Sequence, residues 1–103
     1  MADFMKILQQ AQEMQGKFQK LQEELQQQTV KAASGGGMVT VEANGQGTVR
    51  SIKIDPSVVN ASDVEMLEDL LLVAVTEAQK KAQEIQQQEM GKLTGGLPFK
   101  LPF

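Results

Sequence analysis

The stretch Met38–Pro56, MVTVEANGQGTVRSIKIDP, decides the fold. Val39, Val41 and Ala43 alternate with Thr40 and Glu42, the period of two that turns every second side chain to one face of a strand. Asn44-Gly45-Gln46-Gly47 follows, and an Asn-Gly start is a strong signal for reversing the chain between paired strands. Thr48–Ile54 is again rich in β-branched residues, and Asp55-Pro56 stops it, because proline has no N–H to give to a ladder. The stretch predicts a β-hairpin with strands at about 38–44 and 48–54. A hairpin alone is marginal in water, so the flanking chain or a second chain must cover it.

Upstream, Asp3 can cap a helix. Phe4, Ile7, Ala11, Met14, Phe18, Leu21 and Leu25 then recur in alternating steps of three and four, the a/d seam of a helix packed lengthwise on another helix. The other face is mostly glutamine, a solvated surface of good helix formers. This predicts a helix over 3–28. Thr29–Ala33 reads as a short, weakly signalled third strand, and Ser34 with Gly35–Gly37 as a turn. A phosphate-binding glycine loop would precede a helix and carry a Lys at a fixed offset; here a strand follows.

Downstream, Ser62-Asp63-Val64-Glu65 has the form of a capping box and predicts a second helix over 62–90, with Gly91 as its end signal. Val64, Leu67, Leu71, Ala74, Val75, Ala78, Ala82 and Ile85, with Leu70, Leu72 and Val73 added, make a stripe wider than a two-helix seam needs. A further surface must lie against it: the sheet, a second subunit, or both. Residues 91–103 contain the Gly/Pro-rich run GGLPFKLPF and read as a flexible or lightly docked tail beside a single domain over 1–90.

The chain has 103 residues, no Cys, no His and four Phe as its only aromatic residues. Disulfides are excluded, and the commonest general base and metal ligand is missing. No apolar run approaches the ~20 residues of a membrane span, and MADFMKILQQ lacks a signal-peptide core. The expectation is a cytoplasmic protein with no membrane partner, no small-molecule substrate, no cofactor, no metal and no catalytic residues. The best enzymatic case would rest on Asp55, Asp63 and Asp69, which read more simply as a turn residue and as charges at a helix N-terminus.

The first helix would be about 38 Å long and each strand about 23 Å. Both helices join the sheet at one end, so they should run antiparallel and overhang it. The product is an α+β protomer of order α-β-β-β-α with a projecting two-helix arm. Two such protomers joined through their sheets would form a clamp.

These residues resemble the YbaB/EbfC family of bacterial nucleoid-associated proteins over nearly the whole chain. The resemblance rests on Ile54-Asp55-Pro56-Ser57 and Glu65-Met66-Leu67-Glu68-Asp69-Leu70. It is supported by Gln10-Ala11-Gln12-Glu13-Met14, the glycine turn before Met38-Val39, Asn44-Gly45, and Lys100-Leu101-Pro102-Phe103. It implies a three-stranded antiparallel sheet between two helices, a tweezer-like homodimer, and binding of double-stranded DNA in the nucleoid. It supplies no catalytic residues. The implied role is nucleoid organisation and gene expression, with low sequence selectivity. The alternative is a coiled-coil-armed chaperone or scaffold resembling prefoldin.

The net charge of −3 is unevenly spread. Residues 55–77 hold six acids and no base, whereas the two segments expected to form the arm are net positive. Lys6, Lys17, Lys20, Lys80, Lys81 and Lys92 are therefore the candidate DNA-binding residues at the arm. Against this, Glu13–Lys17, Lys20–Glu24, Glu77–Lys81 and Lys80–Glu84 all have the i,i+4 spacing of ordinary helix-surface pairs.

Overall fold

A computed structural model of the chain describes residues 2–94. Helix α1 spans Ala2–Gln27; strands β1 (Thr29–Ser34), β2 (Val39–Asn44) and β3 (Val49–Ile54) follow; helix α2 spans Val64–Thr94. Single 3-10 turns at Gly35–Gly37 and Pro56–Val58 complete the order. The sheet is antiparallel throughout, in the order β1-β2-β3. The weakly signalled Thr29–Ala33 segment is thus a full strand, paired with β2 from Thr29↔Asn44 to Ser34↔Val39.

One face of the sheet makes the core. Val30, Ala32, Val39, Val41 and Ala43 are buried there against Ala74, Ala78 and Ala82 of α2. The three alanines recur every four residues, so they form one row along the helix. Their small side chains let α2 lie close on the sheet, and they also keep the core thin: its largest fully buried side chains are Leu25, Val39 and Val41. Polar side chains fasten the layers at their margins. Ser34 Oγ donates to Leu70 O (2.6 Å), Lys81 Nζ to Lys31 O (2.7 Å), and Gln86 Nε2 to Gly45 O (2.9 Å).

The β2–β3 turn is where α1 attaches. Asn44 is buried, and its Oδ1 accepts from the amides of Gln46 (2.9 Å) and Thr48 (3.0 Å), which closes the turn locally. The Gly45 amide donates to Leu25 O at 2.7 Å. A Cβ on Gly45 would lie 2.7 Å from that oxygen, so the close seating of α1 requires glycine there. β3 carries an extra residue, Arg50, between the pairs Glu42↔Ser51 and Ala43↔Val49. A bulge re-aims a side chain, and Arg50 Nη2 donates to Gln26 O at 2.9 Å, capping the last turn of α1. Gln46 Nε2 reaches Gln22 O and Oε1, each at 3.2 Å. Gln22, one of the glutamines read as plain solvated surface, therefore helps to fasten the turn.

The two helices run antiparallel, but their overlap is shorter than a lengthwise seam. From Leu25 at the turn, α1 extends outward by about 35 Å. From Gln86, at the same turn, α2 extends only about 12 Å. The seam of α1 is correspondingly graded. Leu25 and Leu21 are 1% and 7% exposed, while Phe18, Ile7 and Phe4 are 42%, 61% and 62% exposed. Of the seam expected to pack lengthwise on another helix, only Leu21 and Leu25 are buried by described residues, because α2 overlaps α1 only at that end.

Two end signals differ from expectation. The cap of α2 is Asp63, whose Oδ1 accepts from the Met66 amide at 3.2 Å, not a Ser62–Glu65 box; the Ser62 amide is held by Asn60 Oδ1 at 2.9 Å instead. Gly91 does not end α2, which continues through Thr94. A helical glycine costs only about 1 kcal/mol relative to alanine, too little to stop a helix whose neighbours favour it. Of the segment 91–103 expected as a tail, residues 95–103 lie outside the described residues.

Candidate nucleic-acid interface

The outward end of α2 meets the sheet-proximal part of α1 in a shallow cleft of ≈ 310 Å3 lined by Lys17, Lys20, Leu21 and Glu24 of α1 and Glu89, Lys92 and Leu93 of α2. Lys17 and Lys20 are three apart and share one face of α1. Leu21 and Leu93 supply an apolar wall, and the three lysines outnumber the two glutamates. Lys92 Nζ lies 3.3 Å from Glu89 Oε1, an exposed pair of the kind worth little. None of the four i,i+4 pairs suggested by spacing closes as an ion pair among the described residues. Lys17 and Lys20 are thus exposed cations whose charge is not neutralised by a neighbour.

The other three candidates lie elsewhere. Lys6 is on the same helix, about 16 Å beyond Lys17. Lys81 sits over the edge of the sheet, on the Lys31 carbonyl. Lys80 follows the buried Ala78 by two residues, about 200° round the helix, and faces away from the sheet. Lys80 and Lys81 are therefore not on the projecting arm, contrary to the sequence expectation. In the cleft the residues of α2 that face α1 are Glu89, Lys92 and Leu93, and both lysines lie before them on the stretch of α2 that covers the sheet.

The acids occupy the opposite end. Glu65, in the first turn of α2, is about 40 Å along the helix axis from Lys92. Asp55 caps the Pro56–Val58 turn, with Oδ1 accepting from the Ser57 amide at 2.8 Å. That amide, and secondarily the Ser57 side chain, holds the Asp55 carboxyl below its ordinary value. This is the signature of a turn residue, and it accounts for Asp55 without a catalytic role. Among the described residues no group of three or more carboxylates is placed to hold a metal ion. No described helix is long and apolar enough to cross a membrane.

A second feature is apolar. Ile52 and Ile54 pair with Val41 and Val39 and so share the core face of the sheet, yet they are 46% and 37% exposed while their partners are fully buried. α2 covers β1 and β2 and stops short of β3. Leu72, 66% exposed, overhangs on the same side, since its helix angle matches that of Gln79, which reaches Gly47 O of the β2–β3 turn. The periodicity of α2 identifies the surplus apolar residues, but which of them the sheet leaves bare depends on the helix's lateral position.

Residues 1–97 match the family model described as the YbaB/EbfC DNA-binding family. A nucleoid-associated protein of Gemmatimonas aurantiaca is 54% identical over 103 residues, covering 98% of this chain and 99% of its own. Another from Thermodesulfovibrio yellowstonii is 58% identical over 99 residues, covering 96% and 85%. In structure, the chain is similar to an uncharacterized protein of Helicobacter pylori with a TM-score of 0.83 and 27% identity, over 89% of this chain and 97% of that one. The prefoldin-like alternative finds no support in these likenesses. By its match over 1–97 and its identity to these relatives, the chain belongs to the YbaB/EbfC DNA-binding family.

Proposed function

We propose that this protein binds duplex DNA in the nucleoid of the cytoplasm as a homodimer, holding the phosphate backbone with arm lysines and reading little sequence. The observation that carries the DNA contact is the convergence of Lys17, Lys20 and Lys92 from two helices on one exposed cleft. Lys6 extends the same positive track outward along α1. Lys80 and Lys81 form a separate, secondary pair behind it. Point cations of this kind bind phosphates without selecting bases. The acidic end lies about 40 Å from the cleft by helix rise, which keeps the negative net charge away from the contact. The bare face of β3, with Ile52, Ile54 and Leu72 beside an edge strand, supports dimerisation. Its burial by a second copy would complete the thin core and remove the open edge.

Fluorescence anisotropy on two unrelated duplexes, across a salt series, tests the reading. Replacing Lys17, Lys20 and Lys92 together by Gln should weaken binding to both duplexes alike. It should also flatten the plot of log affinity against log salt by roughly 1 for each phosphate that a lysine no longer neutralises. The pair Lys80→Gln and Lys81→Gln should have the smaller effect. A folded triple variant that binds with the parent's affinity and salt slope would remove the cleft from the interface.

A further inference from the structure

The apolar stripe of α1 runs on beyond the helix that covers it. Leu21 and Leu25 are buried, but Phe4, Ile7 and Phe18 are 62%, 61% and 42% exposed, Ala11 is exposed between them and Met14 is only half-buried. Leu93, near the end of α2, shares the cleft with Lys17 and Leu21. Beyond that level Phe4, Ile7, Ala11 and Met14 keep the same alternation of three and four. A seven-residue repeat of this kind is the pattern by which one helix packs along another. We propose that the outer half of α1 is a docking surface for the same half of α1 in a second copy of this chain, the two helices running antiparallel.

The residues beside the stripe select this occupant, its direction and its register. Asp3, Gln10 and Lys17 recur every seventh position on one flank, and Leu8 and Gln15 lie on the other. Charges on these flanks set partner and orientation in helix pairs, and reversing one helix brings each flank against its own counterpart. With Phe4 level with Met14 of the second copy, and Ile7 level with its Ala11, Asp3 of each copy meets Lys17 of the other. Gln10 then faces Gln10 and Leu8, itself 44% exposed, faces Leu8 across the two-fold axis. Neither Asp3 nor Lys17 is in an ion pair among the described residues. A parallel pair sets Asp3 against Leu8 and Gln10 against Gln15, and forms no opposite-charge contact. Sliding the antiparallel pair by one heptad sets Asp3 against Glu24 and calls on Leu21, which is already buried. The chosen arrangement also continues the packing within the chain. α2 is antiparallel to α1 and reaches the level of Lys17; the incoming helix starts there and runs the same way. The C-terminal end of α2 thus faces the N-terminal end of that helix, a favourable alignment of dipoles. The proposal depends on neither the DNA contact nor the pairing through β3, and its test uses no DNA.

The natural absence of cysteine makes the test direct. Two full-length single variants, Ile7→Cys and Ala11→Cys, are mixed in equal amounts and oxidised, and the disulfide-linked products are separated by intact mass. The mixed disulfide should predominate well beyond random proportions, because Ile7 of one copy lies level with Ala11 of the other. Gln9→Cys mixed with Ala11→Cys places one thiol on the far face of α1 and should give no such excess. Charge reversal then tests the register. Asp3→Lys in both chains should slow formation of the mixed disulfide by about two- to tenfold, and adding Lys17→Asp to the same chains should restore it. Random proportions of the three products, or an excess of the two like-with-like disulfides as a parallel pair would give, would overturn the proposal. So would equal cross-linking through Gln9→Cys, or a charge reversal that the second substitution does not rescue.

Discussion

Replacing Gly45 by Ala tests how α1 is held to the sheet. Gly45 is not among the glycines with positive φ, so alanine meets no backbone strain there. The cost comes only from what the new methyl group touches. It would lie 2.7 Å from Leu25 O and 3.1 Å from Leu25 Cα and Cδ2, against an ordinary contact of at least 3.4 Å. Two of these atoms are backbone, so the last turn of α1 must retreat by roughly 0.7 Å. That movement stretches the Gly45–Leu25 hydrogen bond of 2.7 Å and the Arg50–Gln26 bond of 2.9 Å. Overpacking costs about 1–3 kcal/mol, and weakening one buried hydrogen bond adds about 1 kcal/mol. For a domain of this size, a total of about 2–4 kcal/mol lowers Tm by roughly 10–25 °C. Thermal melts should be compared at one protein concentration, because association shifts Tm. Gly91→Ala is the control: nothing lies within 4 Å of its Cβ position, and removing a helical glycine should stabilise by up to about 1 kcal/mol. If Gly45→Ala melted within a few degrees of the parent, the tight seating of Leu25 on the turn would be wrong.

Two further outcomes follow from the same geometry. Ile52→Asp puts a charge on the bare core face of β3; sedimentation equilibrium should show the parent at twice the chain mass and the variant near the monomer, and a parent that sediments as a monomer would refute the dimer. Asp55 should titrate below its ordinary 3.8, because its ionised carboxylate accepts from Ser57. Its folded value is depressed, so its stabilising contribution is present above pH ~3.8 and is lost as pH falls through the lower folded value. A carboxyl-carbon NMR titration with a midpoint at or above 3.8 would contradict the turn geometry.

The hairpin, the two helices and the apolar stripe of α1 were legible in the sequence because each is written in local periodicity. Val39, Val41 and Ala43 at a period of two, and Phe4 to Leu25 at alternating three and four, state their elements without reference to the rest of the chain. β1 was fainter because Thr29–Ser34 has two alanines and a lysine, and most of its strand character comes from pairing with β2. Element ends were less legible still. Ser62 and Asp63 are both good caps, and only the arrangement of the Asn60 turn selects Asp63.

The segregation of charge was also readable in sequence, but its placement in space was not. Charge counting along the chain puts Lys80, Lys81 and Lys92 on one arm, whereas the axial position of α2 on the sheet separates Lys92 from the other two. That position is set by contacts distant in sequence: the Ala74, Ala78 and Ala82 row against β1 and β2, and the polar fasteners to Gly45 and Lys31. The same contacts leave Ile52, Ile54 and Leu72 bare. Composition and periodicity state which residues are apolar, which are charged and which repeat belongs to a helix or a strand. Tertiary structure alone decided which of them are covered, because a stripe's period fixes the direction of its side chains along one element, while burial depends on how far a second element slides along and across it.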